Sequence, residues 1–205
     1  MTLNGVTVCV ATIPVRAASL IKTLDSVRAQ TMFPEAVVVE YDYDHTGAAA
    51  TKNRALGKVT TEWVTFVDDD DVLYPEHIET LLVAQHEYGA DVTYPMAFCS
   101  NQPDGMDPVG LQGKPFDADE LRRRSYIPTT SLIRTELFQS CGGFQLQNRP
   151  DVPGADLYDD WGGYLALLNH GATFHHVPVF TFVWNITSAG APGKLGNTSG
   201  RGDRW

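Results

Sequence analysis

Trp63-Val64-Thr65-Phe66-Val67-Asp68-Asp69-Asp70-Asp71 changes character at its middle, from apolar and β-branched residues to a run of carboxylates. The first half has the composition of a short buried strand. The second half crowds like charges at the end of that strand, where each resists losing its water. A divalent cation is the simplest remedy, because Mg²⁺ and Mn²⁺ prefer oxygen ligands and commonly sit between one or two carboxylates and substrate phosphates. An acidic turn that caps the next helix is the competing reading, since aspartate is favoured at helix starts.

On either side of this stretch the chain alternates strand and helix. Val6 to Ala11 is an apolar run, followed by Thr12-Ile13-Pro14 and a helical spacing of Leu20, Leu24 and Val27. Ala36 to Val39 leads into Glu40-Tyr41-Asp42-Tyr43-Asp44, and Gly47 to Leu56 reads as a helix opened by glycine. Pro75 suits the first turn of a helix running to Gly89, and Val92 to Phe98 reads as another strand. Such alternation predicts an α/β domain with a mostly parallel sheet and helices on both faces. Ligands of such sheets bind beyond the carboxyl ends of the strands, so the acidic groups after Val39 and Val67 are expected at one cleft.

The second half is more broken. Residues 100 to 115 carry the glycines and prolines of a long loop, and a short helix over Asp117 to Arg124 includes Arg122-Arg123-Arg124, read as a solvated basic face. Thr129 to Arg134 predicts a strand, Thr135 to Ser140 a helical turn or two, and Gly142-Gly143-Phe144 a sharp stop. After a polar stretch over 145–155, Asp159-Asp160 opens a helix that ends near Gly171. The helix dipole there stabilises ionised carboxylates, as a general base requires; capping is the plainer role. His175 and His176 precede a last strand, Val177 to Trp184, and the tail from Ser188 carries Lys194, Arg201 and Arg204.

Composition sets the outer limits. With 205 residues and 43 % hydrophobic content, a single domain with a sizeable core is expected. No apolar run approaches the roughly 20 residues of a membrane span, and no secretory signal pattern opens the chain, so a soluble cytoplasmic protein is expected. Cys9, Cys99 and Cys141 lack metal-site spacing and fit buried thiols. A net charge of −10 disfavours nucleic-acid binding. Arg201-Gly202-Asp203 and the sequons at Asn185 and Asn197 are read as coincidence, and P-loop and dinucleotide glycine fingerprints are absent from the sequence.

The order of these motifs resembles the family 2 glycosyltransferases of the GT-A fold. The resemblance rests on Thr12-Ile13-Pro14-Val15-Arg16, on Ser26-Val27-Arg28-Ala29-Gln30-Thr31, and on Gly47 to Asn53 with Lys52 where arginine is usual. It continues through Phe66-Val67-Asp68-Asp69-Asp70-Asp71 to Gly142-Gly143-Phe144 ahead of Asp159-Asp160. One departure is Val39-Glu40-Tyr41-Asp42-Tyr43 in place of the usual Val-Asp-Asp-Gly-Ser, which leaves the nucleotide base open.

The resemblance implies a single GT-A domain over 1–187, with a nucleotide-sugar half over 1–98 and an acceptor and base half over 99–187. The tail over 188–205 would be a flexible lid. It implies metal-dependent, inverting transfer of a sugar from a nucleoside diphosphate sugar to an acceptor hydroxyl. A UDP-sugar is the first expectation, with GDP- and dTDP-sugars next. Asp160 is the expected catalytic base, and Asp70, Asp68 and His176 the expected Mn²⁺ or Mg²⁺ ligands, with His175 in reserve. Thr12, Arg16, Asp42, Lys52, Asp68 and Asp69 are expected around the donor, with Arg201 and Arg204 over its diphosphate; Asp69 and Asp71 are also read as supporting residues. A nucleotidyltransferase of similar fold, or a non-catalytic nucleotide-sugar-binding module, is the alternative.

Overall fold

The computed structural model describes residues 5–100, 108–146 and 159–185. Its centre is an eight-stranded sheet of β1 (Val6–Thr12), β2 (Ala36–Tyr41), β3 (Trp63–Phe66), β4 (Val72–Leu73), β5 (Val92–Ser100), β6 (Pro108–Gln112), β7 (Leu132–Arg134) and β8 (Phe174–Asn185). The strand order is β2-β1-β3-β7-β5-β8-β4, with β6 paired to β5. The sheet is mixed: the ladders β1–β2, β1–β3 and β5–β8 are parallel and hold most of the paired residues, whereas β7 runs antiparallel between β3 and β5.

Helices α1 (Ala17–Arg28), α2 (Ala48–Leu56), α3 (His77–Tyr88), α4 (Ala118–Leu121), α5 (Thr135–Ser140) and α6 (Asp159–Asn169) complete the fold. Strand side chains alternate between faces, and the core divides accordingly. Val6, Val8 and Val10 join Leu20 and Val27 of α1 and Ile78, Leu81 and Leu82 of α3 in one buried cluster. Cys9, Val64 and Phe66 face the other way, toward Ala55 and Leu56 of α2, Phe138 of α5 and Trp161 and Tyr164 of α6. Both faces of β1 and β3 are therefore covered, which explains why they read as continuous apolar runs.

Several boundaries differ from expectation. β6 falls inside the expected 100–115 loop and forms a hairpin ladder with β5, pairing Phe98 with Leu111. β4 follows the aspartate run and pairs antiparallel with β8 at Val72–Val183 and Leu73–Phe182. β7 begins at Leu132, three residues later than the expected strand. β8 begins at Phe174, so His175 and His176 lie inside it. The expected tail, including Arg201 and Arg204, and most of the 145–155 loop lie outside the described residues.

The consequence for function is one shared edge. β1, β2 and β3 are parallel, and β5, antiparallel to the intervening β7, runs the same way. Their carboxyl ends deliver Thr12, Asp42, the Asp68–Asp71 run and Ser100 to the same side of the sheet.

Candidate active site

The aspartates that follow β3 divide by partner. Asp69 is buried, with Oδ2 accepting from Thr12 Oγ1 at 2.5 Å and Oδ1 from Arg16 Nη1 at 2.6 Å. The other arm of the Arg16 fork donates to Asp70 Oδ2 at 2.9 Å, so this guanidinium grips two successive carboxylates. Asp71 is also buried and accepts from the backbone N–H of Asn185 at 2.9 Å, while its carbonyl accepts from Thr23 at 2.8 Å. Thus Asp71 ties the turn to the end of β8 and to α1. Asp68 is the open member, with 37 % of its side chain exposed.

Crowding has an electrostatic cost. Burial pushes Asp69 up to about 6 against the pull of Arg16 and Thr12. Asp70 rises to about 7, first through burial and then through the charges of Asp68 and Asp69, with Arg16 opposing. Asp71 is also raised, by burial first and then by the charges of the neighbouring aspartates. These carboxylates resist carrying full charge together, which is the condition a bound cation relieves.

Lys52 joins this group to a second one. It projects from α2, its side chain 7 % exposed, and Nζ lies 3.3 Å from Asp68 Oδ1 and 3.4 Å from Asp159 Oδ1. Burial alone would lower its pKa, but Asp159, Asp68 and Asp160 more than offset this and hold the ammonium charged. The Phe144 ring centroid is 5.1 Å from Nζ, in cation–π range.

Asp159 and Asp160 are the first residues of α6. Asp160 Oδ1 accepts from the Trp161 N–H at 2.8 Å and Oδ2 from Thr129 Oγ1 at 2.9 Å. Burial and the charge of Asp159 raise Asp160 to about 6, while Lys52, Thr129 and the Trp161 N–H hold it down. A carboxylate with that value is ionised at neutral pH and can still accept a proton, as a general base must. Asp159 Oδ2 is buried without a hydrogen-bond partner among the described residues.

The α6 terminus is clamped from several sides. Trp161 Nε1 donates to the Leu121 carbonyl and Tyr164 Oη to the Pro128 carbonyl, each at 2.6 Å. Asn53, next to Lys52, donates to the Phe144 carbonyl and accepts from the Phe144 N–H, both at 2.9 Å, which locks the Gly142-Gly143-Phe144 turn onto α2. Gly143 has φ +67°, and a Cβ there would lie 2.3 Å from Asn53 Oδ1. Only glycine allows this approach.

The structure therefore brings together Thr12, Arg16, Lys52, Asp68, Asp69, Asp70 and Asp160, although Thr12 and Asp69 serve one another and are buried. Two expected members stand apart. Asp42 is fully buried, with its carboxylate accepting from Thr46 N at 2.9 Å, Thr46 Oγ1 at 2.8 Å and Gly47 N at 2.7 Å. It organises its own turn and presents no surface to a donor. His176 pairs with Tyr94 at the start of β5, whereas Asn185, beside Asp71, pairs with Ser100. Six residues of strand, about 20 Å, separate those positions, so neither His176 nor the adjacent His175 can share a metal with Asp70. Thr129, Asn53 and Phe144 enter the site without a role having been assigned to them from the sequence, although Asn53 and Phe144 stand in two of the motifs that carry the resemblance and Thr129 falls in the Tyr126–Thr130 segment expected on the acceptor side. A groove of about 460 Å³ between α3 and β8, lined by Glu79, Val83, Tyr88 and His175 among others, contains none of the site residues.

Residues 29–150 match the family model described as glycosyl transferase family 2. The chain belongs to glycosyl transferase family 2. Two proteins of Streptococcus pneumoniae serotype 4 (strain ATCC BAA-334 / TIGR4) are similar in sequence. Glycosyltransferase GlyG is 30 % identical over 108 residues, 45 % of this chain and 36 % of GlyG. Glycosyltransferase GlyA is 30 % identical over 69 residues, 34 % of this chain and 10 % of GlyA. Among solved structures, S. aureus TarS 1-349 superposes with a TM-score of 0.65 at 15 % identity, covering 88 % of this chain and 60 % of that one. The same TarS segment in complex with UDP-GlcNAc gives 0.66 at 19 % identity, covering 88 % and 58 %. The chain thus spans about a third or less of the curated relatives it matches, and the TarS likeness shows a shared fold. Among the described residues, no helix is long and apolar enough to cross a membrane.

Proposed function

We propose that this family 2 protein transfers a sugar from a nucleoside diphosphate sugar of the UDP class to an acceptor hydroxyl, with inversion at the anomeric carbon. The observation that carries this reading is Lys52 between Asp68 and Asp159. It makes one cleft of two acidic groups far apart in sequence, one suited to a donor and the other to a base. Family membership and the UDP-GlcNAc held by the similarly folded TarS support the class of donor.

In the proposed step Asp160 takes the proton of the acceptor hydroxyl. The oxygen attacks the anomeric carbon from the face opposite the diphosphate, and the bond to the diphosphate oxygen breaks with its electron pair leaving on that oxygen. Thr129 and the Trp161 N–H hold the Asp160 carboxylate in place for this transfer. The Tyr126–Thr130 segment, adjacent to Asp160 through Thr129, would form part of the acceptor's path.

The residues also fit a divalent cation. The end of β3 offers hard oxygen donors whose crowding opposes full ionisation, and Asp68 and Asp70 would hold the ion. No cluster of three metal-binding side chains occurs among the described residues. A site completed by substrate phosphates uses only one or two carboxylates. When bound, such an ion neutralises charge on the departing diphosphate.

The test is calorimetric and kinetic. Wild-type protein should bind UDP more tightly with Mn²⁺ present, and Asp70→Ala should lose that increment. Asp160→Asn should bind UDP normally and lose transfer or donor hydrolysis by about 10²- to 10⁴-fold. Full activity of Asp160→Asn would remove the base from the mechanism.

A further inference from the structure

The flank that α3 turns away from the core is both acidic and apolar. Acids on α1 and α4 are neutralised one turn away, Asp25 by Arg28, Asp119 by Arg122 and Glu120 by Arg124. Helix α3 contains no lysine or arginine. Among the described residues, Glu76, Glu79 and Glu87 form no ion pair. These three carboxylates rim the groove of about 460 Å³ between α3 and β8, whose apolar lining includes Val83, Val177 and Pro178. Val83 is 51 % exposed. At the far end the Tyr88 ring stacks on His175, with centroids 3.7 Å apart. Along the helix axis Glu76 and Tyr88 are about 18 Å apart.

The strand side of this groove does not invite another strand. β4 covers β8 at Phe182 and Val183, and the Tyr74 N–H donates to the Thr181 carbonyl. From Phe174 to Phe180 that flank carries no strand among the described residues. Pro178 has no N–H to offer there, and the register of β8 against β5 breaks between His176 and Phe180. An edge blunted in this way resists pairing, so an occupant has to be recognised by its side chains. The uncompensated rim sets the charge of those side chains. A second copy of this chain, itself at a net charge of −10, is a poor match to it.

We propose that the groove docks an amphipathic helix of a partner protein, about three turns long. Its apolar side chains lie against Val83 and Val177, and its lysines or arginines face Glu76, Glu79 and Glu87. The groove shares no residue with the catalytic cleft, so docking leaves the cleft open, and the proposal does not depend on the nucleotide-sugar reading.

The experiment titrates the full chain into a fluorescein-labelled model peptide with leucine and lysine at helical spacing and reads anisotropy. The control peptide has the same composition with leucine and lysine alternating, the spacing of a strand. The helical peptide should bind with a micromolar Kd, at least about 10-fold more tightly than the control. Val83→Lys puts a cation among the apolar contacts and should weaken binding by about 10-fold or more; because Val83 is half exposed, the variant should melt as the wild type does. The triple variant Glu76→Gln, Glu79→Gln, Glu87→Gln should also bind more weakly and lose most of the salt dependence. Three results would overturn the proposal: no binding of the helical peptide at about 1 mM, equal affinity for the two peptides, or an unchanged Kd in Val83→Lys. Tighter binding of the alternating peptide would replace the helix with an added strand. Sedimentation showing a wild-type dimer that Val83→Lys splits would give the groove to a second copy, and either outcome overturns the partner helix.

Discussion

Replacing Lys52 with methionine removes the cation that joins the two halves of the site while keeping a chain of similar length. Both Lys52 and Asp159 are almost fully buried, at 7 % and 5 % side-chain exposure, whereas Asp68 is 37 % exposed. Breaking a buried pair by removing one partner costs about 3–5 kcal/mol, because a charge is left without compensation. The exposed Asp68 is screened by solvent and adds little, so the loss is governed by Asp159 and should fall near the lower end, about 3 kcal/mol. With a urea slope of roughly 1–3 kcal/mol per molar, the unfolding midpoint should drop by about 1 M or more. A second readout separates electrostatics from packing. Lys52 helps hold Asp160 down, so its loss should move the acidic limb of the pH–rate profile upward from about 6, with activity recovered in alkali. Lys52→Arg keeps the charge and should restore most of both properties. A Lys52→Met midpoint within about 0.3 M of wild type, with an unshifted pH profile, would refute the bridging argument.

Four further outcomes follow from the same geometry. Transfer by the wild type should rise with pH through about 6, since Asp160 must be ionised to accept a proton and burial with the Asp159 charge places its titration there. Asp159→Asn removes that charge and should move the limb downward; an unmoved limb in the pH–rate profile would exclude Asp159 as a tuning charge. His77 is buried, bonded through Nδ1 to Thr181 Oγ1 at 2.8 Å, and burial pulls it down to about 3 from 6.5. The folded state therefore binds this proton later than the unfolded chain. The stability it supports is present above pH 6.5 and is lost as pH falls toward 3, at about 1.4 kcal/mol per unit, so urea midpoints between pH 6.5 and 5 should fall more steeply in wild type than in His77→Gln. Gly163→Ala in α6 would place Cβ 3.0 Å from the Phe138 ring and 3.2 Å from the Gly143 carbonyl. It should cost about 1–3 kcal/mol, lowering Tm by several degrees, instead of giving the usual helical gain of alanine over glycine.

What the amino-acid sequence disclosed follows from which interactions are local. β1, β3, α2, α3 and α5 emerged nearly at their observed bounds because each carries its own apolar pattern or cap, and Thr135–Ser140 matches residue for residue. β4 and β7 are two and three residues long. No periodicity can be read from two residues, so β4 carried no signal and is a strand only because β8 supplies its ladder; β7 lies within the strand expected over Thr129–Arg134 but starts three residues later. The β6 hairpin was hidden by glycines and prolines that ordinarily mark loops. In the site, the aspartate run was visible at once as a crowded acidic group at a strand end, but its division of labour was not. That division is set by Thr12, Arg16 and Asn185, which reach Asp69, Asp70 and Asp71 from 53 to 114 residues away.

His176 shows where topology should have overruled side-chain chemistry. Imidazole suits Mn²⁺ beside carboxylates, and on residue type alone the assignment is sound. Yet the two histidines were expected just ahead of the last strand, and in a parallel ladder the start of a strand lies at the edge opposite the carboxyl ends where ligands collect. β8 is parallel to β5 and carries His176 against Tyr94, on the far side of the sheet from the aspartates. Asp42 fails for a different reason, one the sequence did not signal. It stands at the correct edge, but Thr46 and Gly47 draw its carboxylate inward to satisfy the N–H groups at the start of α2. Edge placement selects which residues can meet the donor, and competition for hydrogen bonds within each loop decides which of them do.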